Sequence, residues 1–155
     1  MKLVIGNDHA AVDMKNEVMD YLGSKGIEVV NVGTDTNERF DYPVAAYRAA
    51  KLVASGEVDG GVLICGTGVG IGIAANKVDG VRCCICSDPY TARLSKQHNN
   101  ANMIAFGARV IGPETAKMIV DEWLDAEFLG GRHAERVGLI TELQDTQKLV
   151  SRGEE

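Results

Sequence analysis

At 155 residues, the chain is long enough for one well-buried core. Hydrophobic residues make up 45% and charged residues 25%, with no apolar run near the ~20 residues a membrane helix needs. The net charge of -6 and the scattered Lys and Arg exclude the basic face expected of a nucleic-acid binder. The apolar start, Met1–Gly6, is soon interrupted by Asn7-Asp8-His9, too early for a secretory signal, so a cytoplasmic location is expected.

Taken in chain order, five apolar runs read as strands: Leu3–Ile5, Ile27–Val32, Gly61–Cys65, Val81–Cys86 and Met103–Phe106. Their nearly continuous apolar character suits parallel strands covered on both faces. Between the first two, Ala11, Met14, Val18 and Leu22 recur at helical spacing, and Gly26 closes the segment. The long polar stretch Asn31–Phe40 reads as a loop. Asp41-Tyr42-Pro43 caps a helix carrying Ala46, Ala50 and Val53. A helix beginning near Ile71 runs through Asn76-Lys77. Another follows Asp88 and ends near His98. Gly112-Pro113 opens a helix with Ala116, Ile119, Val120 and Trp123 facing inward, and Val137, Ile140 and Leu143 mark a last one.

This alternation predicts an α/β fold, a single three-layer αβα sandwich with a five-stranded parallel sheet of Rossmann-like winding. Residues 1–150 are expected to form one domain, and 151–155 a polar tail. Ligands in such sheets bind beyond the carboxyl ends of the strands, where the winding reverses. Asp8-His9, after the first strand, and Cys65-Gly66-Thr67-Gly68-Val69-Gly70, after the third, should therefore meet there.

The glycine turn can aim several main-chain N–H groups at one anion, helped by the following helix. No Gly-Lys-Ser/Thr follows, so it is not a Walker loop. Gly70-Ile71-Gly72 with Asp88 loosely fits a dinucleotide site, which keeps an NAD-binding oxidoreductase as an alternative. Cys65 stands just before this turn, where a thiol ionises more readily than a free one. Of the four cysteines, Cys83, Cys84 and Cys86 sit in a run that reads as buried strand, so core packing is expected of them. No Cys-x-x-Cys pair suggests a metal site. His98, at a helix end, is either a surface cap or a site residue; with Cys65 it also leaves a cysteine-dependent hydrolase open. Arg109 follows the fifth strand, and Arg132 and Arg136, four apart, share a helix face able to grip a phosphate.

Seven ordered segments carry a resemblance over about residues 2 to 145. They are Asn7-Asp8-His9-Ala10, Asp41-Tyr42-Pro43, Cys65–Gly70 with Ala74-Ala75-Asn76-Lys77, Cys86–Tyr90, His98–Asn102, Gly107–Gly112, and Gly130–Arg136. Together they resemble the ribose-5-phosphate isomerase B family, which includes the galactose-6-phosphate isomerase subunits. The resemblance implies an aldose–ketose isomerase of phosphorylated sugars, needing neither metal nor other cofactor, working through a cis-enediol(ate).

In it, Cys65 would move the carbon-bound proton, Thr67 would assist transfer between the oxygens, and His98 would open the ring. Asp8, Tyr42 and Asn99 would contact sugar hydroxyls. His9, Arg109, Arg132 and Arg136 would bind phosphate, and Gly66, Gly68 and Gly70 would line the anion turn. The resemblance also implies a homodimer or dimer of dimers, with His98 and some phosphate ligands reaching across the subunit interface. Ribose 5-phosphate is the first expected substrate; galactose 6-phosphate, allose 6-phosphate, a tetrose phosphate, or a non-catalytic sensor of such sugars are the alternatives. Asn7, Val44 and Gly72 depart from common family residues, and Gly72 is expected to loosen the anion turn.

Overall fold

The computed structural model describes residues 1–153. Five strands, β1 (Lys2–Asn7), β2 (Glu28–Asn31), β3 (Gly60–Cys65), β4 (Cys83–Ile85) and β5 (Met103–Gly107), form one parallel sheet in the order β2-β1-β3-β5-β4. The helices are α1 (Val12–Ser24), α2 (Tyr42–Ala54), α3 (Val69–Ala75), α4 (Pro89–Asn99), α5 (Pro113–Asp125) and α6 (Arg132–Thr146).

The two-residue period of a strand decides which core each side chain joins. On β1, Leu3 and Ile5 face α1 and α5, while Val4 faces α2. On β3, Val62 and Ile64 join the first core; Leu63 and Cys65 join the second, with α2 and α3. The expected inward stripes are in place: Met14, Val18 and Leu22 on α1, and Ala116, Ile119, Val120 and Trp123 on α5. Each large apolar side chain so buried contributes ~1.5–3 kcal/mol. The Trp123 indole N–H is not left unpaired, donating to Ala101 O at 3.0 Å. The fully buried Ala45, Ala46, Ala49 and Ala50 on α2 let this helix lie close on the sheet.

Several expectations are corrected. The run Val81–Cys86 yields only a three-residue strand, and β4 lies at the sheet's edge, so Cys84 is half-buried and Ile85 exposed. Helix α3 starts at Val69, earlier than expected, and ends at Ala75. The residues Val137, Ile140 and Leu143 do lie on a helix, but α6 packs at the periphery against α4, and Ile140 and Leu143 remain exposed. The tail expected from residue 151 begins inside a 3-10 turn, Val150–Arg152, whose Ser151 N–H donates to Glu142 at 2.8 Å. Its last two residues lie outside the described range.

Candidate active site

Winding reverses between β1 and β3, which are neighbours, so their carboxyl ends open side by side. Asp8 N–H donates to Ile64 O at 3.3 Å, tying the first turn to the third strand. Asp8 caps the 3-10 turn His9–Ala11, its Oδ1 accepting from Ala10 N–H at 3.0 Å. His9 is held by the main chain of Phe40, whose N–H lies 3.2 Å from Nδ1. In the tautomer where that N–H donates, the ring proton sits on Nε2, which is free to meet a ligand.

Cys65 ends β3, 4% exposed, with its sulfur accepting the Gly68 N–H at 3.1 Å. Hydrogen bonds to charged acceptors are roughly twice as strong as neutral ones, so this amide does most when the sulfur is ionised. Gly68 has φ +80°, and a β carbon there would stand 2.6 Å from the Phe106 main chain. Only glycine lets the turn curl back over β5 in this way. Arg109 and Tyr42 flank the turn. A β carbon on Gly66 would lie 3.5 Å from Arg109 Nη1, and one on Gly70 only 2.8 Å from Tyr42 Cζ. Asp8, His9, Tyr42, Cys65–Gly70 and Arg109 therefore gather at one end of the sheet.

The anion turn is narrower than the sequence implies. Two of its amides are already engaged, Gly68 N–H with Cys65 and Val69 N–H with Thr67 Oγ1 at 3.2 Å. Gly72 does not loosen it. This residue is buried inside α3, where a β carbon would meet Ile85 Cγ1 at 2.4 Å, so glycine here serves helix–strand packing. Asp88 caps α4 through Thr91 N–H and Oγ, both at 2.7 Å, which accounts for it without a ribose.

His98, Asn99, Arg132 and Arg136 lie elsewhere. Helix α4 runs back antiparallel to the strands, so its last residues reach the amino edge of the sheet. Beta strands rise about 3.3 Å per residue, so the six residues of β3 separate the two ends by roughly 20 Å. There the Arg82 guanidinium grips the helix end, donating to Asn99 O at 3.0 Å and Asn100 O at 3.1 Å. His98 stacks on His133, ring centroids 4.3 Å apart, with Arg132 beside it at the start of α6. A cavity of about 760 Å³ adjoins this second cluster, between Arg82, Asn99, Ile140 and Leu143. The candidate residues of one chain thus fall into two clusters at opposite ends of the sheet.

His133 and Arg82 join this cluster although neither stood out in the sequence. His133 is buried, and that burial holds its imidazole below the ordinary 6.5, reinforced by His98, Arg132 and Arg136. A histidine kept neutral in the folded chain must gain a proton on unfolding at acidic pH. Its contribution is therefore complete above pH 6.5 and is lost as pH falls through the lower folded value. We expect His133→Gln to flatten that acid-side loss of stability, read as the unfolding midpoint between pH 7 and pH 5.

The other three thiols differ among themselves: Cys84, hydrogen-bonded to Cys86, is lowered to about 7. Burial pushes Cys83 up, and Cys86 is raised first by its hydrogen bond to Cys84 and then by burial. Among the described residues, no cluster of three or more His, Cys, Asp or Glu is placed to hold a metal ion. None of the helices described is long and apolar enough to cross a membrane.

The fold and the turn define an α/β protein with a glycine-lined crevice at the carboxyl ends of β1 and β3. A family model described as Ribose/Galactose Isomerase matches residues 3–140. Ribose-5-phosphate isomerase B of Escherichia coli is 54% identical over 143 residues, 92% of this chain and 96% of that protein. D-erythrulose-4-phosphate isomerase of Pectobacterium atrosepticum is 46% identical over 149 residues, 96% of this chain and 98% of the other. Among solved structures, ribose-5-phosphate isomerase B of Clostridium thermocellum superposes with a TM-score of 0.93 at 51% identity, covering 95% of this chain and 99% of its own. The chain belongs to the ribose/galactose isomerase family. It is a sugar-phosphate isomerase of the aldose–ketose type.

Proposed function

We propose that the chain interconverts ribose 5-phosphate and ribulose 5-phosphate, with Cys65 as the carbon base. The observation that carries this is the Cys65 sulfur at the lip of the sheet, held by the Gly68 amide and bracketed by Tyr42 and Arg109. The thiolate takes the proton from C2 and returns it to C1 through a cis-enediol(ate). The hydroxyl of Thr67, whose oxygen already accepts from Val69 N–H, is free to donate and so passes a proton between O1 and O2. The amides of the turn not engaged internally meet the charge on those oxygens. One such preorganised donor is worth about 2.7–4 kcal/mol in the oxyanion holes of acyl-transfer enzymes. Asp8 and Asn99 hold sugar hydroxyls.

The complete site is shared. Cys65, Asp8, His9, Tyr42 and Arg109 come from one subunit; His98, Asn99, Arg132 and Arg136 come from its partner. The roughly 20 Å between the half-sites within one chain supports this, since a five-carbon phosphosugar cannot span it. The exposed Ile140 and Leu143 of α6 are apolar surface for a second copy to cover. His98 opens the sugar ring, and the arginines fix the distant phosphate, so that remote binding energy orients the reacting carbons. An enzyme of this kind works in the cytoplasm on pentose phosphates.

The preference among phosphosugars is tested by turnover over a panel: ribose 5-phosphate, allose 6-phosphate, galactose 6-phosphate and the four-carbon erythrulose 4-phosphate. We expect the highest kcat/KM with ribose 5-phosphate, and solvent deuterium entering at the transferred position. A higher kcat/KM with the four-carbon sugar would move the assignment to tetrose phosphates. Hydride transfer without any solvent exchange would instead remove the enediol(ate) route.

A further inference from the structure

The loop of residues 32–41, between β2 and α2, has neither strand nor helix of its own, yet it ends at the candidate site. Its Phe40 main chain fixes His9, and Asp41 leads directly into Tyr42. What restrains it lies underneath. Lys15, on α1, is 1% exposed, an ammonium inside the core. That ammonium pairs with Asp35 of the loop, and Asn31 Nδ2 donates to the same carboxylate oxygen at 2.9 Å. The Asp35 carboxyl is held below its ordinary value, first by the hydrogen bond from Lys15 and next by that from Asn31.

A second tie runs beside it. Asn7, fully buried at the tip of β1, uses one Nδ2 group to donate to Thr34 O at 3.1 Å and Asp8 O at 2.9 Å. The loop is thus joined at Thr34 to the turn bearing Asp8, and at Asp35 to a buried charge. An ammonium out of water is costly unless paired, and Asp35 is the one carboxylate paired with Lys15 among the described residues. The loop cannot swing out without stranding that charge.

We propose that Lys15 is a positioning residue for the phosphosugar site: through Asp35 it holds the 32–41 loop so that His9 and Tyr42 stand ready for substrate. This rests on reading His9 and Tyr42 as substrate contacts. His9 would hold the phosphate and Tyr42 a sugar hydroxyl, groups whose charge does not change as the proton moves, so releasing the loop weakens ground-state and transition-state binding alike. Such a loss appears in KM and leaves kcat nearly unchanged.

The test compares Lys15→Met, Asp35→Asn and Asp35→Glu with the wild-type enzyme. Methionine fills the core without a charge to strand, so the fold survives in that variant. If Asp35→Asn does not fold, Lys15→Met carries the comparison, and the reverse holds equally. Two measurements are made: KM and kcat for ribose 5-phosphate, and the rate of tryptic cleavage at the exposed Arg39 within the loop. We expect Lys15→Met and Asp35→Asn to raise KM about tenfold, keep kcat within about twofold and speed Arg39 cleavage about tenfold. Asp35→Glu should restore both. Faster cleavage with unchanged KM would overturn the positioning role, as would unchanged cleavage. A wild-type enzyme that turns over no phosphosugar would instead overturn the site reading, a separable result because the cleavage comparison needs no substrate.

Discussion

Cys65→Ala is expected to lower kcat for ribose 5-phosphate by at least about 10²–10⁴, the range a positioned proton-transfer group supplies. No neighbouring group takes over, because the geometry around the sulfur is specific. The thiol is almost wholly buried at the end of β3, on the α2–α3 side of the sheet, and is aimed by the Gly68 amide. Deleting one sulfur atom leaves the φ +80° turn and its packing against Phe106 in place, so the unfolding free energy should move by only about 1 kcal/mol. Binding of inorganic phosphate should persist, since the guanidiniums are untouched. The measurements are steady-state turnover, deuterium exchange at C2 and a thermal melt. Retained exchange in the alanine variant would remove Cys65 from the base role and shift attention to Asp8, a carboxylate at that end of the sheet.

The second large effect concerns the division of the site. Neither Cys65→Ala nor the double variant Arg132→Ala/Arg136→Ala should support turnover at low substrate, the first for lack of a base, the second for lack of a phosphate grip. Mixed and allowed to exchange subunits, the two should regain activity. In a two-fold dimer each mixed pair has one site carrying every substitution and one carrying none. Random pairing makes half of the dimers mixed, so about a quarter of wild-type sites are restored. Native mass spectrometry confirms that mixed dimers formed, and the initial rate at subsaturating ribose 5-phosphate reads the sites. Mixed dimers without activity would place the whole site within one chain. That outcome conflicts with the opposite placement of Cys65 and the α4–α6 junction, and would require a large rearrangement of α6.

The candidate site residues were legible because their patterns are local. A cysteine followed by alternating glycines, and an aspartate–histidine pair after a strand, are patterns in neighbouring residues, and the winding rule placed both at one crevice. The inward stripes of α1, α2 and α5 were legible for the same reason, since helical spacing encodes the buried face directly. Where the reading went astray, the cause was non-local. The apolar run Val81–Cys86 looks like a central strand, but edge or centre is decided by pairing partners, and β4 pairs only with β5. Gly72 looked like part of an anion turn; its role was set by Ile85, on another strand. Lys15 carried a signal that went unused. It stands in the spacing Ala11, Lys15, Val18, Leu22, a lysine on a buried face, which asks for a carboxylate that only the folded loop supplies.

By itself, then, the sequence determined the layered α/β architecture and the family, and it supplied the candidate reactive groups, because period, capping and short motifs act over a few residues. Only the tertiary structure decided which of those groups meet. Direction is a property of the whole sheet: strands point one way, helices return the other, and residues at the end of α4 are carried to the far side from residues at the end of β3. That geometry separates His98, Arg132 and Arg136 from Cys65 by the length of a strand, a distance no spacing in the sequence records.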